Sequence, residues 1–429
     1  MRKMMISGVT ALALLTGGIV GVGGVGGVGG SVEAAQATTK FKDVPATHWA
    51  SSAINSAVEQ GYFKGYADGT FKPSSPVTKA EMASILGRLS DQPNASTQEQ
   101  NNFTDIPEWA KSGVSIAIAK GFISPSNYKG KLDAQSALQR GEMATWLTQG
   151  LTVVDPEYKQ ALSDVTNTVV PAKEYFTGKL ASAQKNAVAV ALGTGLMSVA
   201  NDKTFGVDRT TTRAEVAVLI ARYAAVAKTK PGDFQGLNEL RAVGLTGTNL
   251  SIIAPSYKKT PEKKVNPNID YDSVTEDFSK IRNKNLVTLT NYSDLKIHNW
   301  IVVSPYAVGA KRSIYYPVFV DEGVITTLRG AYHSFVEFEL NIKSSSMNQL
   351  QAGSLLNSSA VDPLLSPKTK TSASFGIPTN IEFLKSKGVF TVKDPVFWGD
   401  GLLHFDKALI SAITLTTKEG VTFSVIDNK

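Results

Sequence analysis

The chain has 429 residues, of which 19% are charged and 42% hydrophobic, so folded domains are expected rather than disorder, two to three of them by length. Its net charge of +7 and pI of about 9.2 suit an anionic polymer, but Lys and Arg are dispersed and nucleic acid is not implied. The absence of cysteine excludes disulfides, thiol chemistry and a lipidated cysteine anchor.

The N-terminus reads as a secretory signal over residues 1–37. Arg2 and Lys3 form its charged region and Ile6–Val20 its apolar core. Ala35-Gln36-Ala37 fits a cleavage site, with Val32-Glu33-Ala34 as a competitor. Gly-rich 21–30 makes a poor membrane helix, and no other stretch is long and apolar enough to span a bilayer. No membrane partner is expected once the signal is cleaved.

Three copies of one pattern follow, assigned to 38–90, 102–151 and 161–225. The first opens on Phe41-Lys42-Asp43-Val44-Pro45 and His48-Trp49-Ala50. A helical pattern then runs through Ile54 and Val58 to Gly61. After the turn at Asp68-Gly69 a second helix starts at Thr78-Lys79-Ala80-Glu81. The second copy opens on Phe103-Thr104-Asp105-Ile106-Pro107 and Trp109-Ala110, stops its first helix at Gly121, and starts its second near Arg140. The third is read from Leu162-Ser163-Asp164-Val165, with a first helix over 187–192, stop glycines at 193 and 195, and a second helix after Thr212-Arg213-Ala214-Glu215. Asp43 precedes Lys79 by 36 positions and Asp105 precedes Arg140 by 35. Asp164 precedes Arg213 by 49, which places an insertion within 167–184. Residues 91–102 and 152–160 read as linkers.

Thr78 with Glu81, and Thr212 with Glu215, fit capping boxes, whereas Gln139 is a poor cap. Lys79, Arg140 and Arg213 occupy the first helical position, where a cation opposes the helix dipole. Three such placements in register point to an anion site made of free helix N–H groups and a cation, with Arg able to grip a carboxylate or phosphate bidentately and Lys acting only as a point charge. Trp49 and Trp109 are either core aromatics or platforms for a sugar face. The recurring Asp is read as a turn or cap residue, and His48 as a packing or capping residue.

The run Phe41-x-Asp43-Val44-Pro45-x-x-His48-Trp49-Ala50, then Gly65-Tyr66-x-Asp68-Gly69-Thr70-Phe71-x-Pro73, then Thr78-Lys79-Ala80-Glu81 resembles a surface-layer homology (SLH) repeat. The resemblance covers about 41–224. It implies an all-α, three-repeat pseudo-trimer that holds surface proteins to the secondary cell-wall polysaccharide of Gram-positive envelopes, often through pyruvylated sugars. It implies Lys79, Arg140 and Arg213 as anion contacts and Trp49 and Trp109 as sugar contacts. In the third copy, counting back from Gly195 reaches Ala183, so the expected aromatic is missing; Tyr175 and Phe176 lie earlier.

Residues 226–270 read as a connector, with prolines and clustered Lys258, Lys259, Lys263 and Lys264. From 271 to 429, β-type runs at 286–290, 300–303, 314–320, 324–328, 335–340, 389–392, 413–415 and 421–425 predict a mainly-β, sandwich-like domain. Its carboxylate pair Glu337 and Glu339 and the His404–Asp406 pair are better read as strand-face residues than as catalytic groups. Trp300, Tyr315, Tyr316 and Trp398 are the aromatics a carbohydrate-binding module could use. No catalytic residue, metal or cofactor is called for. The expectation is a secreted, cell-wall-anchored S-layer or S-layer-associated protein, not an enzyme. Its partner is the wall polysaccharide, with itself or other surface-layer proteins as further partners. The alternative is a wall-anchored enzyme or carbohydrate-binding protein acting through the C-terminal domain.

Overall fold

The computed structural model describes residues 40–428 except 90, 96–99, 262–271, 308, 310–311, 322–329, 366, 368–369, 385–387 and 405–411. The signal segment, Lys263, Lys264, the run 324–328 and Asp406 therefore lie outside the described residues. Residues 39–429 form one compact unit.

The helices of the first half are α1 (Ser51–Glu59), α2 (Lys79–Gly87), α3 (Lys111–Ala119), α4 (Arg140–Val154), α5 (Glu157–Asp164), α6 (Lys173–Phe176), α7 (Ser182–Gly193) and α8 (Arg213–Val226). Gly61, Gly121 and Gly195, just beyond α1, α3 and α7, all have positive φ, the left-handed stop that glycine takes without strain. Thr78 and Thr212 close full capping boxes with Glu81 and Glu215, and Gln139 makes no side-chain cap.

A cyclic set of backbone bonds joins three segments. Val77 N–H donates to Thr211 O, Thr211 N–H to Leu138 O, and Leu138 N–H to Val77 O, at 2.8–3.0 Å. These three residues sit fully buried at the centre. Around them each motif helix packs against the first helix of the next segment: α2 on α3, α4 on α7, α8 on α1. Equivalent core positions carry similar residues: Met82, Met143 and Val216; Ala83, Ala144 and Ala217; Leu86, Leu147 and Ile220. Burial of these aliphatic stripes is what makes such short helices stable.

Thr211 is the odd member of the central trio. Its Oγ1 is buried with no hydrogen-bond partner among the described residues, and an unpaired buried hydroxyl costs about 1–3 kcal/mol. Thr211→Val keeps the shape and removes the polar atom, so its unfolding free energy in urea should rise by about 1–2 kcal/mol. An unchanged or lower value would contradict the assignment.

The leading acidic residue of the third segment is Glu174, not Asp164. Asp43 accepts from Phe71 and Lys72 N–H, Asp105 from Leu132 and Ala134 N–H, and Glu174 from Phe205 and Gly206 N–H. Each carboxylate thus pins the loop that precedes its motif helix. Asp164 ends α5 and pairs with Arg241 at 2.9 Å.

Over its described residues, 226–261, the connector expected at 226–270 is folded. It contains α9 (Gln235–Thr246), α10 (Leu250–Ile253) and β1 (Tyr257–Lys259), and α9 packs on α5 and α7 through buried Leu237, Leu240 and Val243. Gly244 allows this approach: a Cβ there would lie 1.9 Å from Asp164 O. The linker expected at 152–160 is likewise helical for most of its length, shared between α4 and α5.

The described residues of 271–428 do not make up the expected mainly-β sandwich. They hold β2 (Ser293–Val303), α11 (Tyr316–Phe319), β3 (Ala331–Ile342), α12 (Gln349–Gly353), α13 (Lys370–Phe375), β4 (Val396–His404), β5 (Ile413–Thr416) and β6 (Thr422–Asp427). Two small antiparallel sheets result, ordered β2-β3-β4 and β1-β6-β5. Within the run 314–320, Tyr316–Phe319 form helix α11, with Pro317 in its first turn, where the missing N–H is not needed, and Tyr316, Val318 and Phe319 buried. The runs 286–290 and 389–392 contribute only isolated bridges.

The two halves share a core. Phe176 on α6 makes edge contacts with Phe319, Phe375 and Trp398, and Tyr315 Oη donates to Val169 O at 2.9 Å. Arg282 ties the junction by donating to Asn167 O, Gly244 O, His298 O and Asn299 Oδ1. The insertion in the third segment is therefore the surface on which the C-terminal region sits.

Candidate functional site: grooves between the segments

The cyclic packing fixes where each motif cation goes. The helix N–H groups are not free: Lys79 and Ala80 N–H donate to Ser136 and Ala134 O, Arg140 and Gly141 N–H to Arg209 and Val207 O, and Arg213 and Ala214 N–H to Ser75 and Pro73 O. Thr78 and Thr212 take the next N–H in their helices. An anion site built on bare helix N–H groups is thus ruled out, and only side chains remain to receive a ligand.

Arg140 and Arg213 are each 7% exposed and lie across the neighbouring segment. Arg213 stacks on the Phe63, Tyr66 and Phe71 rings, with Nε donating to Phe71 O at 2.8 Å and Nη2 to Lys64 O at 2.9 Å. Arg140 stacks on Phe205, with Nε donating to Phe205 O at 2.9 Å and Nη2 to Ser198 O at 3.0 Å. Two of the five guanidinium donors are spent on backbone in each case, which leaves Nη1 as the nitrogen for a ligand. The carbonyls hold the planar group rigidly, so little side-chain entropy remains to be lost on binding.

Two grooves form over these arginines. One, of about 230 Å³, is bounded by Trp49, Arg140, Arg209, Glu215 and Arg222 with the 197–200 loop. The other, of about 280 Å³, is bounded by Trp109, Arg213, Glu81, Arg88 and the 62–66 loop. Each therefore draws on all three segments: a helix and loop from one, the cation from the one before, and the tryptophan from the one after. Trp49 is 63% and Trp109 60% exposed, so neither is a core aromatic. His48 Nδ1 accepts from Ala50 N–H, and its ring stacks on Trp49. It orients the start of α1, in keeping with a capping role.

The electrostatics differ along the first groove. Arg209 Nη2 donates to Glu215 Oε1 at 2.6 Å, while Arg140 Nη1 stands 3.8 Å from that oxygen. Burial acting alone would raise the Glu215 pKa. The Arg209 hydrogen bond, the Thr212 N–H and the Arg140 charge outweigh it and hold the carboxyl below its ordinary range. Burial, then the Arg209 and Arg222 charges, lower the Arg140 pKa against the pull of Glu215.

The third position is built differently. Gln139 is no cap, so Glu142 is released from capping and pairs with Lys79 Nζ at 3.1 Å. It also accepts from Tyr128 Oη at 2.7 Å, and Tyr128 Oη in turn accepts from Trp146 Nε1. Lys79 is neutralised, and Ala183 stands where a tryptophan would be. Phe176 is committed to the C-terminal junction, and Tyr175 packs against Phe176 and under Lys185, so neither replaces it.

The C-terminal candidates are dispersed. Trp300, Tyr315, Tyr316 and Trp398 are all buried and offer no sugar platform. Glu337 is bonded to Asn299, and Glu339 to Lys296 and His298, so each carboxylate has its own partners. Among the described residues no group of three or more His, Asp or Glu side chains could hold a metal ion.

The S-layer homology domain family matches residues 40–83 and 180–217. The chain therefore carries S-layer homology domains. The segment built around α3 and α4 lies between the matched ranges yet makes the same carboxylate-to-loop and helix-to-backbone bonds. Curated relatives agree. The chain is 33% identical over 123 residues to the cellulosome-anchoring protein of Acetivibrio thermocellus, covering 26% of each chain. It is 33% identical over 132 residues to the surface-layer 125 kDa protein of Lysinibacillus sphaericus, covering 28% of this chain and 10% of that one. It is 26% identical over 249 residues to an S-layer protein of Bacillus licheniformis, covering 54% and 27%. The chain thus spans about a quarter or less of these relatives. It is an SLH-containing cell-surface protein, and among its described residues no helix is long and apolar enough to cross a membrane.

Proposed function

We propose that this SLH protein is a non-enzymatic surface component, held non-covalently to an anionic, pyruvylated secondary wall polysaccharide, and that its C-terminal region is the part displayed. The middle segment acts as a further SLH repeat in a three-repeat pseudo-trimer. The observation that carries this reading is an exposed tryptophan beside a buried, carbonyl-braced arginine, present twice. A flat aromatic face takes the apolar side of a sugar ring, and Arg Nη1 takes its acidic substituent. Two such grooves on one rigid body give avidity without turnover. The Lys79 position has neither an exposed tryptophan nor a free charge and contributes no third site.

The mature chain should co-sediment with purified wall sacculi and lose that property when the secondary polymer is chemically extracted. Equal binding to stripped peptidoglycan would overturn the reading. The whole chain is required, because a fragment ending at 225 would uncover the face of α7 that α9 buries.

A further inference from the structure

A single carboxylate ties together three elements at the seam between the SLH body and the C-terminal region. Glu239, on α9, is fully buried. Its Oε2 accepts from Ser313 Oγ at 2.5 Å and Asn249 Nδ2 at 3.0 Å, and its Oε1 from Gln235 Nε2 and Ile314 N–H, both at 3.3 Å. Ser313 and Ile314 lead into α11. Asn249 is bonded both ways to β2, donating to Val302 O at 2.9 Å and accepting from Val302 N–H at 2.7 Å.

All four donors to Glu239 are neutral, and among the described residues it forms no ion pair. The charged groups on the elements packed against α9 have other partners. Glu157 and Asp164 of α5 pair with Arg241, and Lys185 of α7 lies over Tyr175. On β2, Lys296 and His298 meet Glu339, and Asp294 meets Lys343 and Lys418. Asp233 and Lys280, on the short turns beside α9, are exposed. Arg312, next to Ser313, lies over the Tyr316 ring. The titratable group coupled to Glu239 is the buried Tyr315 hydroxyl, which donates to Val169 O. A buried carboxylate with no counter-charge destabilises its surroundings when ionised and not when protonated. Ser313 Oγ can accept from the protonated form as readily as it donates to the ionised one. Burial accordingly raises the Glu239 pKa, and the hydrogen bonds only partly offset it.

We propose that Glu239 is a pH-controlled latch on this seam: its protonated carboxyl holds the C-terminal region on the SLH body, and its ionised carboxylate loosens that hold. The stability it contributes is fully present below the unfolded-chain value and is lost as pH rises through the higher folded one. The latch operates whatever the grooves bind.

Hydrogen exchange of the mature protein, read by mass spectrometry and corrected for intrinsic rates, tests this between about pH 5 and about pH 8. Opening of peptides containing Val302 and Ile314 should increase about fivefold or more across that range, while peptides from α2 stay level. Glu239→Gln should flatten the dependence. Glu337, the other seam carboxylate whose pKa burial raises, faces His298, Arg282 and Lys185, and a dependence due to it would persist in Glu239→Gln. Ser313→Ala removes a donor to the ionised form, so it should move the midpoint to higher pH, and it decides the matter if Glu239→Gln does not fold. Glu59→Gln, at an exposed carboxylate paired with Lys40, should change nothing. Protection independent of pH in the unmodified protein, a dependence that survives Glu239→Gln, or a midpoint that stays or falls in Ser313→Ala would overturn the proposal.

Discussion

Replacing both Trp49 and Trp109 by alanine should abolish wall binding while leaving the fold intact. Each ring is more than half exposed, so its removal creates no cavity, and the thermal midpoint should move by less than about 1 °C, as for surface substitutions. Without its stacking platform each groove should bind more weakly by about 1–2 kcal/mol, roughly tenfold per site. The tryptophans belong to separate grooves, so the two effects should add, and the weakened avidity should deepen the result beyond about 100-fold. Sedimentation isotherms of the two single variants and the double variant check this. A double variant no weaker than the singles would show that the protein uses one groove. A large fall in the thermal midpoint would show that the rings are structural.

Arg213→Ala should behave in the opposite way, losing stability and binding together. The guanidinium fills the space over Phe63, Tyr66 and Phe71 and satisfies the carbonyls of Phe71 and Lys64. Removing it unpairs those acceptors and opens a void at the seam between the third and first segments, a cost of about 2–4 kcal/mol. Arg213→Lys restores a charge but cannot reproduce two bonds in the guanidinium plane, so it should recover part of the binding and little of the stability. Urea unfolding and wall sedimentation below the transition separate the two effects. Unchanged stability in Arg213→Ala would contradict the bracing role. The same reasoning applies to Arg140, which braces the second segment against the third.

These two predictions mark what a linear reading could and could not reach. The repeated order of acidic residue, stop glycine, threonine cap, cation and glutamate is local. Helix stops and capping boxes depend on residues within a turn of each other, so they were legible in the sequence, as was the weak cap at Gln139. Trp49 and Trp109 could be picked out but not placed, because a tryptophan at a helix start is compatible with either side of the surface.

Long-range geometry decided the rest. Helix N–H groups look free until carbonyls from another segment, some 50 to 140 residues away, occupy them. Glu174 replaces Asp164 because the role is defined by which loop a carboxylate reaches, and a longer side chain after an insertion reaches the same one. Arg222 and Arg88 occupy the same helical position, and only their surroundings show that Arg88 is tied to the carbonyls of Gly61 and Tyr62. In the C-terminal region hydrophobic runs predict strands, but a short apolar run does not by itself separate strand from helix, and within 314–320 Tyr316–Phe319 form helix α11. The sequence by itself determined where the motif helices begin, where the first helices stop, and the chemistry they carry, although α7 starts at Ser182, five residues before the expected 187. The tertiary structure alone decided which cations face a groove, because each groove is assembled from three segments whose contacts no local pattern encodes.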